Sequence, residues 1–402
     1  MQIKITPSVA RGEIGAPPSK SMAHRLLICA TMSEGESVVR GISESADVLA
    51  TLDCIRALGA EAEIEEDTVR VRGVDIRRTE PRGALLCRES GSTLRFFIPV
   101  AWATGKATAL YGAPSLMRRP MSVYEEICTQ KSMKFEKTGE RILVEGPLEA
   151  GEYRVAGDVS SQFISGLLFA LPITDADSRI VLTPPVESRS YINLTLAALR
   201  EFGVMAEWEN ETTLAIKGNQ RYRACDCTVE GDYSNAAFLD AFNLFGGAVT
   251  VTGLRDDSLQ GDRVYGDYFE ALRVGSPTLE IGDCPDLGPI LFAVAAAQNG
   301  ARFTGTRRLR IKESDRVAAM AEELAKFGVS LVIEEDAVTI PKQTLHKPNA
   351  PLEGHNDHRI VMSCAVLCSI TGGEITGAEA VGKSFPDFFD RIRKLGLEVR
   401  EA

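Results

Sequence analysis

Six times along this chain a short triplet of polar or small residues opens an apolar run of helical length. Ser19-Lys20-Ser21 precedes 22–32, Gly91-Ser92-Thr93 precedes 94–103, and Ser160-Ser161-Gln162 precedes 163–172. Asp232-Tyr233-Ser234 precedes 235–245, Pro285-Asp286-Leu287 precedes 288–297, and Asn356-Asp357-His358 precedes 359–370. Helix starts present unpaired N–H groups and the positive end of a dipole. A chain with many of them, several bearing Lys or Arg, is suited to caging anions.

A second regularity follows each apolar run. A glycine or polar turn leads to a short β-branched strand, at 36–41, 107–112, 179–183, 248–253, 301–305 and 373–377. A charged loop and an amphipathic helix come next, at 47–58, 120–130, 191–202, 262–274, 314–327 and 385–395. Apolar positions in these helices recur at helical spacing, as in Val317, Met320, Leu324 and Phe327. Gly59, Gly203, Gly275, Gly328 and Gly396 stand where C-terminal caps are expected. Strand pairs then follow, such as 62–65 with 69–71 and 329–334 with 337–340.

The pattern is strand–helix–strand–helix–strand–strand, an internal repeat of roughly 50 to 75 residues. The last copy, from Asn356, is short, and the fourth is compact. The first 18 residues hold two strand-like pieces and no helix, so they are expected to supply the missing strands. Residues 19–228 then form one domain, and 1–18 with 229–402 the other, so the chain crosses between domains twice.

The net charge of −11 disfavours nucleic acid, which calls for a basic surface. An anionic ligand must be held by locally placed cations, which points to a small, specific molecule. Nine cysteines without metal-like spacing read as reduced core residues. With no signal peptide and no run of about 18 apolar residues, the expectation is a cytoplasmic protein without a membrane span.

Several motifs carry candidate chemistry. In Ser19-Lys20-Ser21-Met22-Ala23-His24-Arg25, Lys20 opposes the dipole at a helix start, which calls for a compensating anion. In Glu89-Ser90-Gly91-Ser92-Thr93-Leu94-Arg95, glycine permits close approach of a phosphate or carboxylate. Arg118-Arg119-Pro120 places cations in a loop, and Ser160-Ser161-Gln162 offers uncharged hydrogen-bonding groups, extended by Ser188 and Tyr191. Lys312-Glu313-Ser314-Asp315-Arg316 combines two cations with a candidate acid/base, Ser314 being a candidate cap. Asp286 reads as a helix cap or as a working carboxylate, and Asp232–Ser234 as a cap alone. His355 and His358 lack a third ligand and zinc spacing, so no metal is expected. Gly382-Lys383-Ser384 lacks the upstream glycine of a phosphate-binding loop.

Taken in order, Pro-Ser-Lys-Ser…Arg, Gly-Ser-Thr-Leu-Arg, Arg-Arg-Pro, Ser-Ser-Gln, Lys-Glu-Ser-Asp-Arg, Asn-Asp-His-Arg and Gly-Lys-Ser-Phe-Pro resemble the 5-enolpyruvylshikimate-3-phosphate synthase family over nearly the whole chain. The resemblance implies two domains, each an inside-out α/β barrel of three βαβαββ units. It implies a monomeric enzyme without cofactor, whose substrates are shikimate 3-phosphate and phosphoenolpyruvate. Shikimate 3-phosphate contacts would be Lys20, Ser21, Arg25, Ser160, Ser161, Gln162, Ser188, Tyr191, Asp286 and Lys312. Phosphoenolpyruvate contacts would be Lys20, Gly91, Arg95, Arg119, Gln162, Arg316, Arg359 and Lys383. Asp286 would be the base toward the attacking hydroxyl and Glu313 the acid toward the methylene carbon, with Lys20 and Lys312 assisting. Glu89 and Arg308 depart from the asparagines that some members carry.

The sister enzymes that act on UDP-N-acetylglucosamine use a cysteine in the loop before the second-repeat helix. Here the loop 113–120 has none, and Cys128 lies in the following helix. A purely anion-binding repeat protein would gain little from Asp286 and Glu313 among the cations.

Overall fold

The computed structural model describes residues 1–401. Its inner helices begin where a side chain captures the first free N–H groups. Ser19, Ser90, Ser160, Asp232 and Asp357 accept from the N–H groups of Met22, Thr93, Gln162, Asn235 and Arg359 respectively. Each such cap contributes about 1 kcal/mol. The helices so started are Lys20–Thr31, Gly91–Ala103, Ser161–Ala170, Tyr233–Asp240 and His358–Thr371. The sixth, Gly288–Ala297, begins after Leu287 with no side-chain cap. The cap reading of Asp286 therefore fails, because its carboxylate is engaged by cations.

The chain divides into two compact units: a continuous one, Pro18–Glu230, and a discontinuous one, Met1–Pro17 with Gly231–Ala402. Each is an inside-out α/β barrel, with apolar helices within and sheets around them. Gly288–Ala297, hydrophobic on every side, is buried from Gly288 to Ala296. The sheets alternate as half-solvated sheets do: Val69 and Val71 are buried while Arg70 and Arg72 face water.

In the continuous unit two sheets share one plan, a parallel pair followed by an antiparallel hairpin. One orders Leu85–Leu86, Thr108–Tyr111, Arg141–Glu145 and Lys134–Lys137. The other orders Glu152–Ala156, Ser178–Thr183, Thr213–Ile216 and Ala206–Trp208. The third contains Ser33–Arg40, Thr68–Gly73 and Glu61–Glu65, and its outer parallel position is filled from the end of the unit by Tyr222–Arg223 and Asp226–Thr228.

The discontinuous unit closes the same way. Gln2–Thr6 takes the third position in the sheet of Leu352–Glu353, Gly373–Thr376 and Glu398–Glu401, supplying a strand that the short last copy lacks. Arg11–Gly15 pairs in parallel with Ala248–Thr252. The fourth copy departs from the expected unit. Its helix Tyr265–Val274 runs directly to the strand Thr278–Glu280, and its sheet has two strands. Gly275 there is extended at φ −167°, whereas Gly59, Gly203, Gly328 and Gly396 take the left-handed cap conformation.

Candidate active site

In the continuous unit three helix starts are tied together by buried polar groups. Lys20, the first residue of its helix, finds its compensating anion within the protein: Nζ lies 2.8 Å from Asp47 Oδ2. Arg25, one turn further on, is buried. Its Nε donates to Thr195 Oγ1 at 2.8 Å, Nη1 to the Ser21 carbonyl at 2.7 Å and Nη2 to the Tyr191 carbonyl at 2.9 Å. Nη2 also reaches Ser165 Oγ at 3.4 Å, and Ser161 lies one turn before Ser165 on the same helix face. Burial without a carboxylate partner pulls the Arg25 pKa down to about 10. Ser188 precedes the helix Arg189–Glu201 in a left-handed conformation, φ 54°, a strained position for a serine.

A second group converges on Gly91. Arg95 Nη1 donates to Gln162 Oε1 at 2.6 Å, and Gln162 Nε2 donates to Ser92 Oγ at 2.9 Å. A β-carbon on Gly91 would come within 2.7 Å of Arg119 Nη1 and 3.4 Å of Arg95 Nη1. Glycine leaves room here for two guanidinium groups beside the helix start, which a larger residue would push aside. Beneath them runs a hydroxyl chain absent from the sequence reading: His24 Nδ1 to Thr51 Oγ1 at 2.7 Å, Thr51 to Thr93 at 2.8 Å, and Thr93 to Ser90 at 2.7 Å. Burial, then Lys20 and Arg25, hold the His24 pKa low, so the ring is neutral.

In the discontinuous unit the cations meet carboxylates. Asp286 lies 2.9 Å from Arg316 Nη1, 3.3 Å from Arg359 Nη2 and 3.4 Å from Lys312 Nζ. Burial opposes its charge, yet Lys312, Arg359 and Arg316 together keep its pKa well below the usual carboxylate range. Arg316 also binds Asp357 at 2.9 Å and Glu313 at 2.8 Å. Burial works against charge on Arg316 too, but the three carboxylates raise its pKa. Lys312 goes the other way: burial outweighs the pull of Asp286, and nearby Arg308 and Arg316 lower it further. Lys383 Nζ donates to the Asn356 carbonyl at 2.6 Å.

Two local expectations are corrected. Ser314 is not the cap of its helix; Asp315 is, accepting from the Val317 and Ala318 N–H groups, and Ser314 Oγ donates to Asp357 at 3.0 Å. Ser234 does more than help a cap. Its Oγ accepts from Arg359 Nη2 at 2.8 Å and donates to Asp232 at 2.5 Å, and its carbonyl accepts from Arg359 Nη1 at 3.2 Å. Asp357 and Ser234 stand in motifs that the sequence singles out, but their bonds to Arg316 and Arg359 carry no local signal. Asp47 carried no signal, since an acid in a helix's first turn is ordinary.

Residues 5–392 match the family described as EPSP synthase (3-phosphoshikimate 1-carboxyvinyltransferase). A 3-phosphoshikimate 1-carboxyvinyltransferase of Clostridium beijerinckii is 38% identical, the alignment covering 98% of this chain and 97% of the relative. One from Clostridioides difficile is 36% identical over 99% of this chain and 98% of the relative. The fold is similar to that of an EPSP synthase from Acinetobacter baumannii, with a TM-score of 0.80, 24% identity and 99% of each chain covered. With matches that run nearly end to end, the chain belongs to the EPSP synthase (3-phosphoshikimate 1-carboxyvinyltransferase) family.

Proposed function

We propose that the protein transfers the enolpyruvyl group of phosphoenolpyruvate to the 5-hydroxyl of shikimate 3-phosphate, releasing phosphate, in aromatic amino acid biosynthesis. The observation that carries the reading is Asp286: a carboxylate held ionised by three cations, two of them, Arg316 and Arg359, suited to an incoming phosphate or carboxylate.

In this reading Lys20, Ser21, Arg25, Ser160, Ser161, Gln162, Ser188, Tyr191, Asp286 and Lys312 bind shikimate 3-phosphate. Lys20, Gly91, Arg95, Arg119, Gln162, Arg316, Arg359 and Lys383 bind phosphoenolpyruvate. The arriving phosphoenolpyruvate takes Arg316 and Arg359 from Asp286, and losing those partners raises the basicity of Asp286. Asp286 then accepts the 5-hydroxyl proton as that oxygen bonds to C2 of phosphoenolpyruvate. Glu313, as a carboxylic acid, protonates C3, with Lys20 and Lys312 assisting. In the tetrahedral adduct the C2–O bond to phosphate breaks while a C3 proton returns to Glu313, and the proton on Asp286 leaves with phosphate. The arginines stabilise the charge on both phosphate-bearing states.

The discontinuous unit thus supplies the acid/base groups and part of the phosphoenolpyruvate site, and the continuous unit most shikimate 3-phosphate contacts. A monomeric, cytoplasmic enzyme without nucleic-acid partners belongs to the same proposal, the last point supported by the acidic net charge of −11. No helix among the described residues is long and apolar enough to cross a membrane. The test is phosphate release from phosphoenolpyruvate that depends on shikimate 3-phosphate; no release at saturating concentrations of both refutes the assignment.

A further inference from the structure

The segment that carries Asn356-Asp357-His358-Arg359 is gripped a second time, away from Asp286. Glu323, on the helix Arg316–Lys326, is completely buried. Its carboxylate accepts from Lys326 Nζ with both oxygens at 2.9 Å, from His355 Nε2 at 2.7 Å and from the Glu353 N–H at 2.9 Å. Lys326 also donates to the Pro351 carbonyl at 3.2 Å. At its other end the same helix binds Asp357 through Arg316. Seven residues separate the two grips, about 10 Å along the helix axis, so Glu323 is too far away to touch a ligand on Arg316.

Between the grips the backbone is strained. His355 and Asn356 take φ values of 50° and 51°, a conformation that persists in non-glycine residues only where the surroundings over-determine it. The Asn356 carbonyl receives Lys383, and Asp357 starts the helix whose second residue is Arg359. The turn at 355–356 therefore sets where three charged groups of the site stand. Glu322, Glu323 and His355 also offer ligand atoms within 4.8 Å of one another, but the Lys326 ammonium already occupies both Glu323 oxygens.

We infer that Glu323, His355 and Lys326 form a positioning group for the phosphoenolpyruvate ligands Arg359 and Lys383, holding the 355–356 turn in its left-handed conformation. The inference rests on the assignment of those two cations under the proposed function. His355 faces Glu322 and Glu323 of the helix and Glu353 of the adjoining strand, with Lys326 beyond Glu323 and Lys383 on the neighbouring carbonyl. The bond to Glu323, opposed by partial burial and reinforced by Glu322 and Glu353, raises the His355 pKa above 6.5. A raised folded-state pKa means that the contribution of charged His355 is complete below the ordinary value. It is lost as pH rises through the raised one.

The test compares Glu323→Gln, His355→Gln and His355→Phe with the wild type in the full chain, at saturating concentrations of the second substrate. Glu323→Gln and His355→Phe are expected to raise KM for phosphoenolpyruvate roughly tenfold, with kcat and KM for shikimate 3-phosphate within about twofold. His355→Gln keeps a donor but cannot titrate. It should stay near the wild type at the acid end and lack the wild type's alkaline fall in kcat/KM for phosphoenolpyruvate. An unchanged KM for phosphoenolpyruvate, an equal rise in both KM values, or the same alkaline fall in His355→Gln overturns the inference. If Glu323→Gln does not fold, His355→Phe, altered at a half-buried site, carries the same test. A wild type that releases no phosphate overturns the functional assignment instead.

Discussion

Arg25 in the continuous unit and the cations around Asp286 in the discontinuous one are held by opposite means, although Lys20, on Asp47, and Lys383, on the Asn356 carbonyl, each follow the other unit's pattern. In the continuous unit Arg25 is surrounded by neutral groups: two hydroxyls, two carbonyls and the face of Phe96. Arg95 donates to an amide and a carbonyl and lies over Phe163. In the discontinuous unit Lys312, Arg316 and Arg359 stand against Asp286, Glu313 and Asp357, three cations against three carboxylates. Neutral partners fix a guanidinium in place while leaving its charge available, so the surroundings of Arg25 are suited to attract an anion and keep it. Carboxylate partners cancel the charge until a stronger anion displaces them, and they change basicity when it does. Attraction belongs to the first arrangement and proton transfer to the second.

The most damaging way to probe this division is Asp286→Asn, which keeps shape and removes charge. Turnover should fall by roughly 10²-fold or more, while shikimate 3-phosphate binding, measured by calorimetry, stays largely intact. Phosphoenolpyruvate binding should not weaken, because the remaining charge around Arg316 and Arg359 becomes more positive. A loss of phosphoenolpyruvate affinity that matches the loss of rate would mean that Asp286 is a scaffold for the arginines and not a base. On the other side, Arg25→Met keeps much of the apolar stem and removes the charge. Shikimate 3-phosphate should bind about 10- to 150-fold more weakly, the equivalent of one or two charge-assisted hydrogen bonds. A variant that binds as tightly as the wild type would show that Arg25 serves only to join its helix to Arg189–Glu201.

That division was only partly legible in the sequence. The repeat was, because five of the six inner helices are announced by a Ser or Asp whose side chain caps them, at Ser19, Ser90, Ser160, Asp232 and Asp357. Site residues that sit at those starts were therefore found with them. The neutral or ionic character of each partner was not. Asp47 reaches Lys20 across 27 positions, and Thr195 reaches Arg25 across 170. Nothing local distinguishes such an aspartate or threonine from a solvated one. The missing hairpin of the fourth copy was equally hidden: Gly275, after its helix, looks in sequence like its four cap counterparts, yet it is extended where they are left-handed. Short-range chemistry is written in the chain order; the closure of each barrel decides which distant groups meet.

Ser234 gives the gentlest probe of the contrast, because its hydroxyl holds Arg359 within the carboxylate-rich cluster. Through it Arg359 is joined to a further carboxylate, Asp232, since the serine donates to one and accepts from the other. Ser234→Ala removes this link but leaves the Asp232 cap on the Asn235 N–H, the bond from Arg359 to the residue 234 carbonyl, and the contact with Asp286. Folding should therefore be little affected. With one of three anchors gone, Arg359 is less fixed but no less charged, so KM for phosphoenolpyruvate should rise by about 2- to 10-fold, the range of one hydrogen bond, with kcat unchanged. A fall in kcat at constant KM would place Ser234 in the chemical step. The ionic unit would then depend on a neutral hydroxyl in the way that the other unit does, and the division between attraction and proton transfer would lose its basis.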